Sequence, residues 1–268
     1  RQRQMCIRDR LNVGGPIGLG ATANVFLGQV EAPLLVKPYL SSMTRHELLV
    51  LMTVGMSTIA GSVMVVYTTM LAPIYGPGLI GHFLSASLIS IPAGIMFANI
   101  MIPSEIKTDF PKEKSEELFS NSMDAITQGT KNGLDIFLNV IAMLIVVMAL
   151  IFLINAILGL LPNINEVPIT LELILGYIFA PLAWFMGIPW SEAFAAGQLL
   201  GVKTALNEFV AYLYLSDSET YQLSEKSRLI MLYALCGFAN FSSVGILLSG
   251  MSACLLYTSP SPRDPIGS

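Results

Sequence analysis

Four stretches of the chain are apolar over enough length to cross a bilayer, which takes about 20 residues of helix. They are Leu48 to Leu71, Leu79 to Ile102, Ile136 to Leu161 and Leu229 to Ala253. In the first, Thr53, Ser57, Thr58 and Ser62 recur at roughly helical spacing and mark an inward face. Pro92 predicts a kink in the second. The third is almost wholly aliphatic, with Asn155 as packing glue between helices. Two further stretches are apolar but interrupted. Leu11 to Leu40 is broken by Gly14, Gly15, Gly18, Gly20, Gly28 and Pro33, with its tip near Gly28 to Glu31, and Ser191 to Leu215 breaks around Thr204 to Glu208. Each reads as a re-entrant helix–turn–helix hairpin with non-helical backbone at its tip. Such backbone is tolerated at membrane depth only inside protein or beside a water-filled cavity. Leu173 to Trp190 carries Gly176, Pro181, Gly187 and Pro189 among aromatic residues, and predicts a bent helix near the membrane surface. Pro103 to Asp124 is charged and solvated, and Ser115 to Leu134 reads as an amphipathic interfacial helix.

The two hairpins read as versions of one another. Gly28-Gln29-Val30-Glu31-Ala32-Pro33 and Leu206-Asn207-Glu208-Phe209-Val210-Ala211 each set one carboxylate near one carboxamide in apolar surroundings. A polar, basic patch follows each: Thr44-Arg45-His46-Glu47 and Ser224-Glu225-Lys226-Ser227-Arg228. Each patch opens a long uncharged segment with Gly and Ser in its middle, Gly55 to Ser62 and Gly237 to Ser243. A hairpin, patch and polar-centred span that occur twice are the sign of an internal repeat in a transporter. The predicted architecture is an all-α membrane protein, with transmembrane helices and two re-entrant hairpins in an inverted repeat.

Composition agrees. Charged residues make up 12% of the chain, about half the usual share in globular proteins. The net charge of −4 and the lack of a basic cluster argue against a nucleic-acid partner. Of three cysteines, Cys6 and Cys254 lie at the ends, and Cys236 alone gives neither a disulfide framework nor a cysteine metal site. The ends themselves look foreign. Cys254 to Ser259 can be back-translated to a DNA segment whose reverse complement encodes Met5 to Asp9. Such an inverted repeat resembles translated sequencing adapters, so 1–10 and 254–268 are expected to be non-native. Between them the reading places a first repeat over 11–102, a charged loop and interfacial helix over 103–135, a scaffold span over 136–161 and a second repeat over 162–253.

Chemistry concentrates at the hairpin tips. An ionisable residue in the membrane interior costs roughly 3 kcal/mol on insertion scales, so Glu31 and Glu208 need partners. Gln29 and Asn207 add donors and acceptors. Asn240, Ser242 and Ser243 lie mid-span beside Phe238 and Phe241. Carboxylate, amide and hydroxyl beside an aromatic face suit a polar, ring-bearing solute; the alternative is a structural polar network between helices. Asn24, Thr58 and Ile59 supply a carboxamide, a hydroxyl and backbone carbonyls, a hard-oxygen set that could hold Na⁺. The sequence carries no Ser-His-Asp order, HExxH or P-loop. His46 and His82 lie outside the apolar centres without metal-spaced partners. The chain is therefore not read as an enzyme, and no enzyme cofactor is expected.

These residues resemble the concentrative nucleoside transporter family. The matching stretches are Ala23 to Leu34, Met43 to Leu48, Ile59 to Val63, Leu206 to Tyr212 and Cys236 to Ser243, and the resemblance covers nearly all of Leu11 to Ala253. It implies a homotrimeric importer of nucleosides, driven by a Na⁺ or H⁺ gradient and set in the cell membrane, the inner membrane in a bacterium. It also implies that the opening scaffold spans and a closing helix are absent. By motif, Gln29, Val30 and Glu31 would contact the nucleobase, with Val63 packing nearby. Glu208, Asn240 and Ser243 would bind the ribose hydroxyls, and Phe238 would lie against the ligand. Asn24, Leu27, Thr58 and Ile59 would hold the cation, Leu27 and Ile59 through their carbonyls. Val30 departs from the family's usual Thr or Ser, which leaves base preference open. The alternatives are an importer of another polar solute such as a nucleobase, or a non-transporting membrane scaffold.

Overall fold

The computed structural model describes residues 14–40, 42–76, 78–103, 120–162, 168–216 and 221–256. Those residues are mostly helical, with no strand among them. The first interrupted stretch forms α1 (Gly15–Ala23), a seven-residue break, α2 (Glu31–Leu35) and α3 (Lys37–Leu40). The second forms α9 (Trp190–Ala205), a break at Leu206 and Asn207, and α10 (Glu208–Ser216). Helix–break–helix is thus present at both predicted hairpins, with α2 starting at Glu31 and α10 at Glu208. The adapter-like 1–10 end lies outside the described residues, as do all but the helical turn 254–256 of the other end and most of the charged loop.

Two of the four predicted spans are not continuous. Leu48 to Leu71 falls in α4 (Arg45–Ser57) and α5 (Gly61–Tyr75), separated by Thr58, Ile59 and Ala60. Thr58 and Ala60 both have extended backbone. No proline forces this break. The N–H of Gly61 donates instead to the carbonyl of Phe26 in the first hairpin, 2.9 Å away. Leu229 to Ala253 falls in α11 (Glu225–Ala234) and α12 (Phe241–Leu256). Here Gly237 adopts φ +133°, which a side chain rarely tolerates. Discontinuous helices recur in transporters because they expose backbone polar groups where a ligand can meet them.

The remaining helices are α6 (Leu79–Met101), α7 (Ser122–Leu158) and α8 (Leu171–Phe185). The helix of α6 continues through Pro92. The interfacial helix and scaffold span merge into α7, 37 residues long, because nothing between Asn121 and Gly159 stops the helix. At 1.5 Å per residue α7 measures about 55 Å, more than the roughly 30 Å hydrocarbon core. Its polar start therefore extends past the hydrocarbon core, and Ile145 and Phe152 in its apolar part are exposed. Asn155 does join helices: Nδ2 donates to the Glu172 carboxylate at 3.0 Å and Oδ1 accepts from Leu171 N at 2.8 Å. That bond satisfies an orphan N–H at the start of α8.

Glycines bring α8 and α9 into close backbone contact. A Cβ on Gly197 would stand 2.7 Å from Ala180 N, and one on Gly201 2.7 Å from Glu172 O. Two cores then flank the break between α4 and α5. One gathers Val50, Leu51 and Val54 of α4 with Ile17 of α1, Ile95 of α6 and Leu247 of α12. The other gathers Tyr67 and Leu71 of α5 with Phe83 of α6, Leu199 of α9, Tyr212 of α10 and Met231 of α11. The unbroken α6 supports both, so the break lies at the junction of two packed bodies.

Each broken span begins with a cap, built in two ways. Thr44 caps α4 in a capping box with Glu47, the Thr44 N–H donating to Glu47 Oε2 at 3.0 Å. At α11 the corresponding third position is Ser227, which has no carboxylate. Glu192 of α9 supplies one: its Oε2 accepts from Ser224 N at 3.1 Å and from Ser224 Oγ at 3.0 Å.

Candidate functional site

The four breaks form a connected set. The first hairpin tip meets the α4–α5 break through Gly61 and Phe26. That break meets the α11–α12 break at Gly237, where a Cβ would stand 2.9 Å from Ser57 O. The α11–α12 break meets the second hairpin tip through Asn240 and Glu208, whose Nδ2 and Oε2 are 2.8 Å apart. Every predicted chemical residue lies in or beside one of these breaks.

Glu208 is the centre of the second half. Although 6% exposed, it is well supplied with donors. Its Oε1 accepts from the Tyr67 hydroxyl at 2.9 Å, and its Oε2 from Asn240. Asn240 is itself locked, because its Oδ1 accepts from Ser242 Oγ and from Ser243 N, each at 2.7 Å. The structure thus brings Glu208, Asn240 and Ser243 together, as the motifs implied. Asn207 has a local role, its Oδ1 accepting from Val210 N at 2.9 Å at the start of α10. Phe238 and Val63 pack against the same core as Tyr67 and Tyr212.

The first hairpin supplies a second polar group. Asn24 is fully buried, and neither its Oδ1 nor its Nδ2 has a partner. Buried polar atoms are ordinarily paired, so an orphan carboxamide is where a ligand would be expected. Thr58 and Ile59 are buried in the neighbouring break, the Thr58 hydroxyl donating to Val54 O at 3.2 Å and keeping its lone pairs. Leu27 sits half-buried in the same loop as Asn24. This oxygen set fits a small hard cation. Gln29 is buried against Gly55 with its Oε1 unpartnered. Val30 is buried against Gly250 of α12. Glu31 is exposed, its carboxylate folded over Gly28.

Two residues of the site were not singled out from sequence. Tyr67 is one of two tyrosines in an apolar helix, and nothing local marks its hydroxyl. Lys203 carried a signal: it is the lone cation in a hairpin of apolar and small residues, and an ionisable group there is a functional flag. It is 7% exposed, and its Nζ donates to Ala234 O at 2.9 Å. That carbonyl belongs to the last turn of α11, where orphan carbonyls attract cations. Lys203 therefore ties the second hairpin to the segment that carries Phe238 and Asn240.

Comparison with known proteins gives concordant results. A family profile described as "Na+ dependent nucleoside transporter C-terminus" matches residues 82–259. The chain is 41% identical over 254 residues to the uncharacterized transporter YutK of Bacillus subtilis, covering 92% of this chain and 60% of that protein. It is 40% identical over 253 residues to the nucleoside permease NupC of Helicobacter pylori, covering 92% and 58%. It is 36% identical over 252 residues to human solute carrier family 28 member 3, covering 87% and 36%. Among solved structures it resembles CNTnw in an inward-facing substrate-bound state, with a TM-score of 0.73 at 37% identity, covering 94% of this chain and 59% of that one. A variant of that protein in an intermediate state gives a TM-score of 0.80 at 36% identity, covering 95% and 61%. The chain thus spans about 60% of the length of its bacterial relatives.

Proposed function

The chain belongs to the Na⁺-dependent nucleoside transporter family, a family of multi-pass membrane transporters rather than enzymes, and we propose that it carries the binding core of a nucleoside:cation symporter. The observation that carries this reading is the buried Glu208 carboxylate, held by Tyr67 and Asn240 at the junction of two interrupted helices. A carboxylate so placed accepts protons from sugar hydroxyls, each charge-assisted bond contributing about 1.5–3 kcal/mol. Ser243 and Asn240 complete the ribose side. Gln29, Val30, Glu31 and Val63 take the base, and Phe238 lies against the ligand. With Val at position 30, this contact to the base is apolar.

The transported cation takes the pocket of Asn24 and Thr58, with the carbonyls of Leu27 and Ile59. Na⁺ there would satisfy the unpartnered Asn24 oxygen and join the first hairpin tip to the α4–α5 break. Gln29 follows in the same loop, so cation binding pre-orders the base contact and the two solutes bind cooperatively. The hairpins are re-entrant, the two halves form an inverted repeat, and three copies assemble in the cell membrane.

Uptake of labelled uridine by proteoliposomes containing the protein extended to its relatives' length tests this. An inward Na⁺ gradient should accelerate uptake, and excess adenosine or unlabelled uridine should compete. Equal competition by free uracil would instead identify a nucleobase importer. Acceleration by a pH gradient alone would identify H⁺ as the coupling ion, and no uptake under any gradient would contradict transport.

A further inference from the structure

Neither the polar pattern nor the family motifs assign Tyr67 to the ligand site, yet its hydroxyl reaches Glu208 at 2.9 Å. We infer that Tyr67 is a specificity-determining positioning residue, which fixes the Glu208 carboxylate so that a ligand with two adjacent hydroxyls satisfies it best. The inference rests on the proposal that Glu208 receives the sugar.

A carboxylate offers about four acceptor positions. Tyr67 fills one on Oε1, and Asn240 fills one on Oε2. The two donors come from separate elements, α5 and the break before α12. With both oxygens held, the carboxylate plane cannot turn freely, and about one position stays open on each oxygen. Two vicinal hydroxyls can fill both. A ligand with one hydroxyl leaves a buried acceptor unpaired, and unpaired buried groups support strong discrimination.

Tyr67 is built to hold still. It is 2% exposed, and its ring lies 4.8 Å from Tyr212, 6.2 Å from Phe83 and 6.3 Å from Phe209 between centroids. Glu208 is the one partner its hydroxyl bonds to among the described residues. Without that hydroxyl, Oε1 would keep a second open position and the carboxylate could rotate to meet a single hydroxyl.

The test is the ratio of apparent affinities for uridine and 2′-deoxyuridine, from competition of labelled uridine uptake in proteoliposomes of the full-length protein. Tyr67→Phe should lower that ratio about three- to tenfold, part of what one charge-assisted hydrogen bond supports. The ranking of uridine against adenosine should not move. Tyr212→Phe loses an equivalent hydroxyl, which donates to Leu232 O at 2.9 Å, without touching Glu208, and should keep the parent ratio. Glu208→Asp keeps the charge but draws it back from Tyr67, and should lower the ratio as Tyr67→Phe does. In a Glu208→Gln background, Tyr67→Phe should add no further loss. If Glu208→Gln abolishes the ratio while Tyr67→Phe or Glu208→Asp keeps it, the role of Tyr67 is wrong and the sugar assignment stands. If Glu208→Gln itself keeps the parent ratio, the sugar assignment fails and the inference fails with it.

Discussion

Asn240 and Glu208 lie 32 residues apart and meet through a 2.8 Å hydrogen bond, Nδ2 to Oε2, in the buried centre of the protein. The bond joins the tip of one helical hairpin to the unwound middle of another helix. Glu208→Gln removes the charge but keeps the shape. It should weaken ribonucleoside transport about ten- to hundredfold, since bonds to a charged acceptor contribute about 1.5–3 kcal/mol and each 1.4 kcal/mol is tenfold in affinity. Initial uptake rates over a range of uridine concentrations check this, and an unchanged apparent affinity would remove Glu208 from the sugar site.

Gly237 is the residue with positive φ in the break between α11 and α12. It holds φ +133°, and an added Cβ would stand 2.9 Å from Ser57 O and 3.1 Å from Met56 O. Gly237→Ala meets both a backbone strain of about 1–3 kcal/mol and a contact with rigid backbone. Lower thermal stability in detergent and a large loss of uptake are expected together. Parent-like unfolding would show that the two breaks do not touch there.

Glycines on α7 and α9 should answer the same substitution with opposite signs. Gly197→Ala sets a methyl 2.7 Å from Ala180 N and should destabilise by about 1–3 kcal/mol, the usual cost of overpacking. Gly129 has nothing within 4 Å of its Cβ position, so Gly129→Ala should gain up to about 1 kcal/mol of helix propensity. Unfolding midpoints of the two variants, measured side by side, decide the point.

Glu192 links pH to the cap of α11. A hydrogen bond from the Ser227 side chain, with further ones from the N–H and hydroxyl of Ser224, holds its carboxyl below the usual range, against a smaller opposing effect of burial. Because the folded value is depressed, the stabilisation is fully present above the unfolded carboxylate range of about pH 4.3. It is lost as pH falls through the folded value. Glu192→Gln should therefore be less stable than the parent at neutral pH, and the gap should close on acidification. A gap constant from pH 7 to pH 3 would assign the effect to something other than this carboxylate.

Local sequence determined the helical class, the membrane setting and both hairpins. Apolar runs need about 20 residues to span, and runs interrupted by glycine, proline or polar residues cannot, so interruptions near Gly28 to Glu31 and around Thr204 to Glu208 were visible without coordinates. Glu208, Asn240 and Ser243 were also legible, because polar groups amid apolar neighbours need a reason to be there. Tertiary structure decided what backbone partners decide. The α4–α5 break holds no proline, and its position is set by a long-range pairing: Gly61 N–H donates to Phe26 O of the first hairpin, where a Cβ on Gly61 would stand 3.0 Å from that oxygen. Tyr67 became part of the site because α5 packs beside the second hairpin, which sets its hydroxyl on Glu208 across 141 residues. The missing acid in the α11 cap was likewise replaced from α9 by Glu192. Hydrophobic periodicity and chain breakers are properties of neighbours in sequence, whereas the pairing of a freed N–H, a phenol or a cap depends on which surfaces pack, and that is settled only when the whole core has formed.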